Sequence, residues 1–254
     1  MEPSPDLEGV EFANVVQGSC YSACALAFLG GVYRYGATSS KYGVHRFYTK
    51  QAPSDKDFDA AQVLSAAVAA YIREMGADPK LFDLVVEAGQ GQVRILSPEE
   101  QKDLRVVNHG RKAAEWIIEV NESGHYLRGS QETAYGEGKA LFVCFKGAIL
   151  FMSFYEVGSL RAREIVSTKW EHSLFVNGVP LPLREPSVFE ARNSYVHAVV
   201  PLEKSHAMAV ASSQEVGHAM QLARDAPTFI GYRIEIETEK DQSRVQTYIR
   251  NCYR

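Results

Sequence analysis

The apolar residues of this 254-residue chain change their spacing once, and the change divides the chain. Up to about residue 108 they recur at three and four, the period of a helix. Beyond about residue 112 they alternate, the period of a strand. The pattern predicts an α/β domain over residues 1–110 and a mainly β domain, ending in a helix, over residues 111–254.

Within the first half, Phe12 to Val16 reads as a short strand, Gln17-Gly18-Ser19 as a turn, and Ala23 to Leu29 as a compact apolar helix stopped by Gly30-Gly31. A second strand is expected around Tyr42 to Phe47. Ala60, Leu64, Ala67, Val68, Tyr71 and Met75 mark the strongest helix, capped by Asp57 or Asp59 and stopped at Gly76. Asp78-Pro79 starts another helix, carrying Leu81, Leu84 and Val85. Ser97-Pro98-Glu99-Glu100 is a capping box, in which serine and glutamate satisfy each other's backbone N–H groups.

The second half predicts strands at Ala114 to Val120, Lys139 to Tyr155, Ser173 to Leu183, Ser194 to Leu202 and Phe229 to Ile236. Asn177-Gly178 signals a two-residue hairpin. Helices are expected at about Ser213 to Arg224, which contains His218, and at Gln242 to Asn251. Phe142, Phe145, Phe151, Phe154 and Tyr155 have the spacing of a strand core.

Composition narrows the function. With 46% apolar and 23% charged residues and a net charge of -4, the chain lacks the basic patch of a nucleic-acid binder. Its longest apolar runs fall short of the roughly 18 residues that a membrane helix needs. The histidines from His125 onward show no paired-ligand spacing, so no metal or other cofactor is expected. The acidic, Pro-rich start lacks the pattern of a secretory leader, which on its own favours the cytoplasm.

One serine stands apart. In Gln17-Gly18-Ser19-Cys20-Tyr21-Ser22-Ala23-Cys24, Ser22 falls where a strand turns into a helix. There it could cap the helix, or act as a nucleophile with the Ala23 N–H at the oxyanion and His45, at the end of the next strand, as base. Arg34 and Arg46 could hold a substrate carboxylate at the pocket mouth or form surface ion pairs. Cys20 and Cys24 could form a disulfide across the turn or lie as small buried hydrophobes, and Cys144 with Cys252 could staple the C-terminus to the second domain if the protein is exported.

The strings Cys20-Tyr21-Ser22-Ala23-Cys24-Ala25-Leu26-Ala27-Phe28, Gly30-Gly31, Arg34 and Gly43-Val44-His45-Arg46 resemble the C-x-S-A-C, G-x-x-R and H-R pattern of exported bacterial Clp-protease-like proteins in the Clp/crotonase superfamily. The resemblance covers residues 12–108. It implies a serine hydrolase of peptide or amide bonds, with Ser22 as nucleophile, His45 as base, and Gly18 in the family's glycine position beside the oxyanion hole. It also implies a periplasmic or secreted location and self-association into a homo-oligomer.

Two departures accompany the resemblance. Val93 stands at or near the place of the family's acid, leaving Glu87 or Asp83 as substitutes. The glycine pair that precedes the nucleophile strand in the family has no counterpart in residues 1–11, so an N-terminally shortened domain is expected. These departures keep two rivals in play: a non-catalytic binding or envelope-structural protein with this fold, and a crotonase-type enzyme acting on acyl thioesters.

Overall fold

The computed structural model describes residues 18–47, 55–89, 91–121, 124–223, 226 and 228–253. The strand expected at Phe12 to Val16 lies outside them. The fold is mixed α/β, with thirteen strands and seven helices among the described residues. Two compact units part between Arg111 and Lys112.

In the first unit, β1 (Ser19–Tyr21) runs parallel to β2 (Lys41–Val44), and β2 pairs antiparallel with β3 (Arg94–Leu96). The β1/β2 connection carries α1 (Ala23–Leu29), which buries Ala25 and Leu29. α2 (Asp55–Glu74) sinks only its C-terminal half, at Val68 and Ile72, whereas Ala60 and Leu64 of the expected stripe are exposed. It stops where Gly76 takes a φ of 72° and the Ala77 N–H reaches back to the Ile72 carbonyl, the six-to-one closure of a Schellman end. At α3 (Lys80–Glu87) the Asp78 carboxylate accepts from the Lys80 N–H at 2.8 Å. At α4 (Pro98–Asp103) both halves of the Ser97/Glu100 capping box are formed.

Arg34 organises this unit. Its side chain is buried, and it donates to five backbone carbonyls: Val106 through Nε, Leu29, Gly31 and Met75 through Nη1, and Arg105 through Nη2, at 2.8–3.1 Å. Those carbonyls lie at the C-terminal ends of α1 and α2 and in the turn after α4. A guanidinium can be buried without a carboxylate when carbonyl dipoles take up its donors.

The second unit contains a six-stranded and a four-stranded antiparallel sheet. β4 (Glu115–Asn121), β5 (Gly124–Thr133), β6 (Gly136–Phe145), β7 (Ala148–Glu156), β10 (Val188–Arg192) and β11 (Tyr195–Pro201) form one, in the order β10-β11-β7-β6-β5-β4. β8 (Glu171–Val176), β9 (Val179–Pro182), β12 (Glu215–Gln221) and β13 (Ile230–Glu235) form the other, in the order β13-β12-β8-β9. The sheets share a core in which Phe151 meets the His218 ring at 6.0 Å and Tyr155 meets Tyr232 at 5.9 Å. α5 (Ser159–Val166) and α6 (Lys204–Val210) pack at its margins, and α7 (Glu239–Cys252) buries Val245, Tyr248 and Ile249. Cys252 of α7 is joined to Cys144 of β6, with Cα atoms 5.5 Å apart.

Several expectations change here. The run Lys139 to Tyr155 is two strands, turned at Lys146-Gly147, where both residues have positive φ, as Asn177-Gly178 does in the β8/β9 hairpin. The helix expected at Ser213 to Arg224 is instead β12, a central strand paired on both sides, with Val216, His218 and Met220 facing inward. Its Ala, Met and Gln favour a helix, but two ladders of neighbours outweigh that preference. Of the aromatic cluster, Phe142, Phe151 and Tyr155 are core, Phe145 is exposed, and Phe154 stacks on His197 at 4.3 Å. No helix among the described residues is long and apolar enough to cross a membrane.

Candidate active site

Ser22 sits at the junction of β1 and α1. Its amide donates to the Gly43 carbonyl at 3.3 Å, which holds it to β2. The Ala25 and Leu26 amides donate to its own carbonyl at 3.0 and 3.3 Å, which begins the helix. Turning from strand to helix at a single residue places Ser22 at φ 59°, ψ -125°, a backbone region that costs an L-residue about 1–3 kcal/mol. Its hydroxyl makes no capping bond to α1, so the ordinary structural job of a serine at this position is not being done. Cys20 and Cys24 form a disulfide that closes a ring around it, with Cα atoms 5.2 Å apart.

Gly43 explains how β1 and β2 come so close at this point. A Cβ there would fall 2.5 Å from Tyr21 Cδ1 and 2.6 Å from Val93 Cγ1, so only glycine fits between them. Val93 therefore packs over β2 beside the serine-bearing turn.

The exposed Ser22 opens onto a small surface cleft, bounded also by His45 and by the apolar side chains of Leu26, Val44, Val68 and Val85. His45 follows the last residue of β2, and its Nδ1 lies 2.8 Å from the Arg46 carbonyl oxygen. A carbonyl can only accept, so Nδ1 carries the hydrogen and in the neutral ring Nε2 is the unprotonated nitrogen, the tautomer that a general base requires.

Ala23 is the first residue of α1, so its N–H precedes the helical ladder. Gly18 stands on the far side of β1 from Ser22 in the chain and does not line the cleft, and its carbonyl accepts from the Lys41 N–H at 2.9 Å. Arg34 is corrected from a pocket residue to a buried structural one. The exposed Arg46 side chain does not line the cleft, but its carbonyl orients His45.

No carboxylate lines the cleft among the described residues. α3 turns Val85 into it, and Asp83 and Glu87, each two residues from Val85, stand about 200° around the helix, exposed to solvent. Among the described residues no group of His, Cys, Asp and Glu side chains could hold a metal ion.

A serine-histidine contact lies in the other unit. Ser153 Oγ is 2.9 Å from His218 Nδ1, and His218 Nε2 is 3.1 Å from His172 Nδ1, all three residues being buried. Closed off from solvent, these groups form a core network. His218 carried a hint of it in the sequence, but Ser153 and His172 carried none, because three strands from two sheets bring them together. No family model, no curated protein and no solved structure matches the chain, so the chemistry of its cleft is read from its own geometry.

Proposed function

We propose that the cleft between α1, β2, α2 and α3 is the site of a serine hydrolase acting on a peptide or amide bond. Ser22 attacks the carbonyl carbon, His45 Nε2 takes the hydroxyl proton and returns it to the leaving amine, and the Ala23 N–H binds the developing oxyanion. One observation carries this reading: Ser22 holds a costly backbone conformation at a strand-to-helix turn, performs no capping, and lines the same cleft as His45. Such a turn lifts a serine hydroxyl into a pocket, as a nucleophile elbow does.

The Arg46 carbonyl fixes the imidazole where a triad would use an acid. Being neutral, it stabilises the imidazolium less than a carboxylate would, so turnover is slow. Membership of the Clp/crotonase superfamily and self-association belong to the same proposal. Two disulfides fit an oxidising, extracytoplasmic compartment. The cleft without an acid also fits a binding protein that keeps the pair without turnover.

A fluorophosphonate probe decides between the two. Covalent labelling of the folded protein is expected, absent in Ser22→Ala and slowed by about 10²–10⁴ in His45→Ala. A folded protein that takes up no label is the binding protein.

A further inference from the structure

The ring closed by Cys20 and Cys24 has Ser22 at its centre, and the two cysteines hold the two sides of the turn. Cys20 lies in the middle of β1, paired with Tyr42 in the parallel ladder, and Cys24 is the second residue of α1. Without the bond, the turn would be held among the described residues by backbone hydrogen bonds alone. Among the described residues β1, three residues long, lies at the edge of its sheet, and Ser22 itself is tied to β2 by a single 3.3 Å amide bond to Gly43. Against these weak restraints, a serine at φ 59° tends to relax towards an ordinary helical or extended conformation.

We infer that the Cys20–Cys24 disulfide is the positioning device for Ser22, and that its reduction by a dithiol switches the cleft off. This inference rests on the hydrolase reading of the same cleft. Cys24 is exposed and Cys20 half-buried, so a dithiol thiolate attacks Sγ of Cys24 and releases the Cys20 thiolate, which takes up a proton. The second thiol of the reagent, as its thiolate, then displaces Cys24 from the mixed disulfide, and the Cys24 thiolate is protonated in turn. Two electrons and two protons pass to the protein and the reagent leaves as its own disulfide. Freed from the ring, Ser22 leaves the elbow conformation and its place in the cleft it shares with His45, while the apolar walls at Leu26, Val68 and Val85 stay in place. The protein then acts where disulfides persist and is silent where dithiols reduce them.

The experiment compares oxidised full-length protein, the same protein held in dithiothreitol, and Cys20→Ala/Cys24→Ala, which keeps Cys144–Cys252. Tryptophan fluorescence and circular dichroism monitor the fold. The rate of fluorophosphonate labelling is expected to fall at least tenfold in both altered forms and to recover when the reduced protein is reoxidised. With a chromogenic ester, kcat is expected to fall while KM changes less than twofold. Equal labelling of all three overturns the inference and leaves the hydrolase reading intact. If the oxidised protein takes no label, the hydrolase reading fails, and amide exchange at Tyr21 to Ala25 judges the positioning role. Faster exchange after reduction supports that role, and unchanged exchange overturns it.

Discussion

Ser153 Oγ lies 2.9 Å from His218 Nδ1, and on the far side of the same ring His172 stacks at a 5.3 Å centroid distance with a 10° tilt. Three polar groups are thus threaded through a core otherwise filled by Phe151, Leu174 and Met220.

The histidine pair should make the second unit acid-labile. Burial, and then the neighbouring His172, lower the pKa of His218 to about 3. His172 is also lowered, by burial, against an opposing pull from Glu185 and Glu171. In the unfolded chain both rings take up protons near pH 6.5, so below that pH the unfolded state binds more protons than the folded one. The stability is therefore fully present above pH 6.5 and falls progressively towards pH 3. Urea unfolding followed by tryptophan fluorescence at stepped pH should lose a few kcal/mol over this range. His172→Gln/His218→Gln should show a flatter profile, and an unchanged slope would count against the account.

Arg34 predicts a different kind of loss. Arg34→Met leaves five carbonyls, two of them in buried and three in part-buried bonds, without their donor and should destabilise the first unit by about 3–5 kcal/mol. Arg34→Lys should recover only part of this, because an ammonium cannot fork to the same acceptors. Trp116 and Trp170 both belong to the second unit, so its unfolding is followed by fluorescence and that of the first unit by circular dichroism. Only the dichroism transition should move.

Gly43→Ala separates geometry from stability. The new Cβ pushes Tyr21 or Val93 aside and should cost about 1–3 kcal/mol. Because Ser22 hangs from the Gly43 carbonyl, a shift of about 1 Å in this strand should slow fluorophosphonate labelling by about 10²-fold. A variant that melts early yet labels at the full rate would show that the strand spacing does not matter to the site.

The second disulfide closes a sequence separation of 108 residues. Loop-closure entropy assigns such a link about 4–5 kcal/mol, so Cys144→Ala/Cys252→Ala should shift the fluorescence-detected urea midpoint sharply downwards. A change below about 1 kcal/mol would mean that the unfolded chain already holds α7 near β6.

Local rules made the punctuation of this chain legible. The Ser97/Glu100 capping box, the Asn177-Gly178 hairpin, the Gly76 helix stop and the α1 span all follow from contacts a few residues apart, and the sequence by itself determined them. It also marked Ser22 and His45 as a pair worth testing. Tertiary structure alone decided that Ser22 does not cap and that Arg34 is a buried strut rather than a pocket residue. It alone turned Glu215 to Gln221 into a central strand and joined Ser153, His218 and His172. The central strand, the serine-histidine network and most of the Arg34 bonds depend on partners many residues away, and the free energy of a ladder or a buried donor exceeds the fractions of a kcal/mol by which single residues prefer helix or strand.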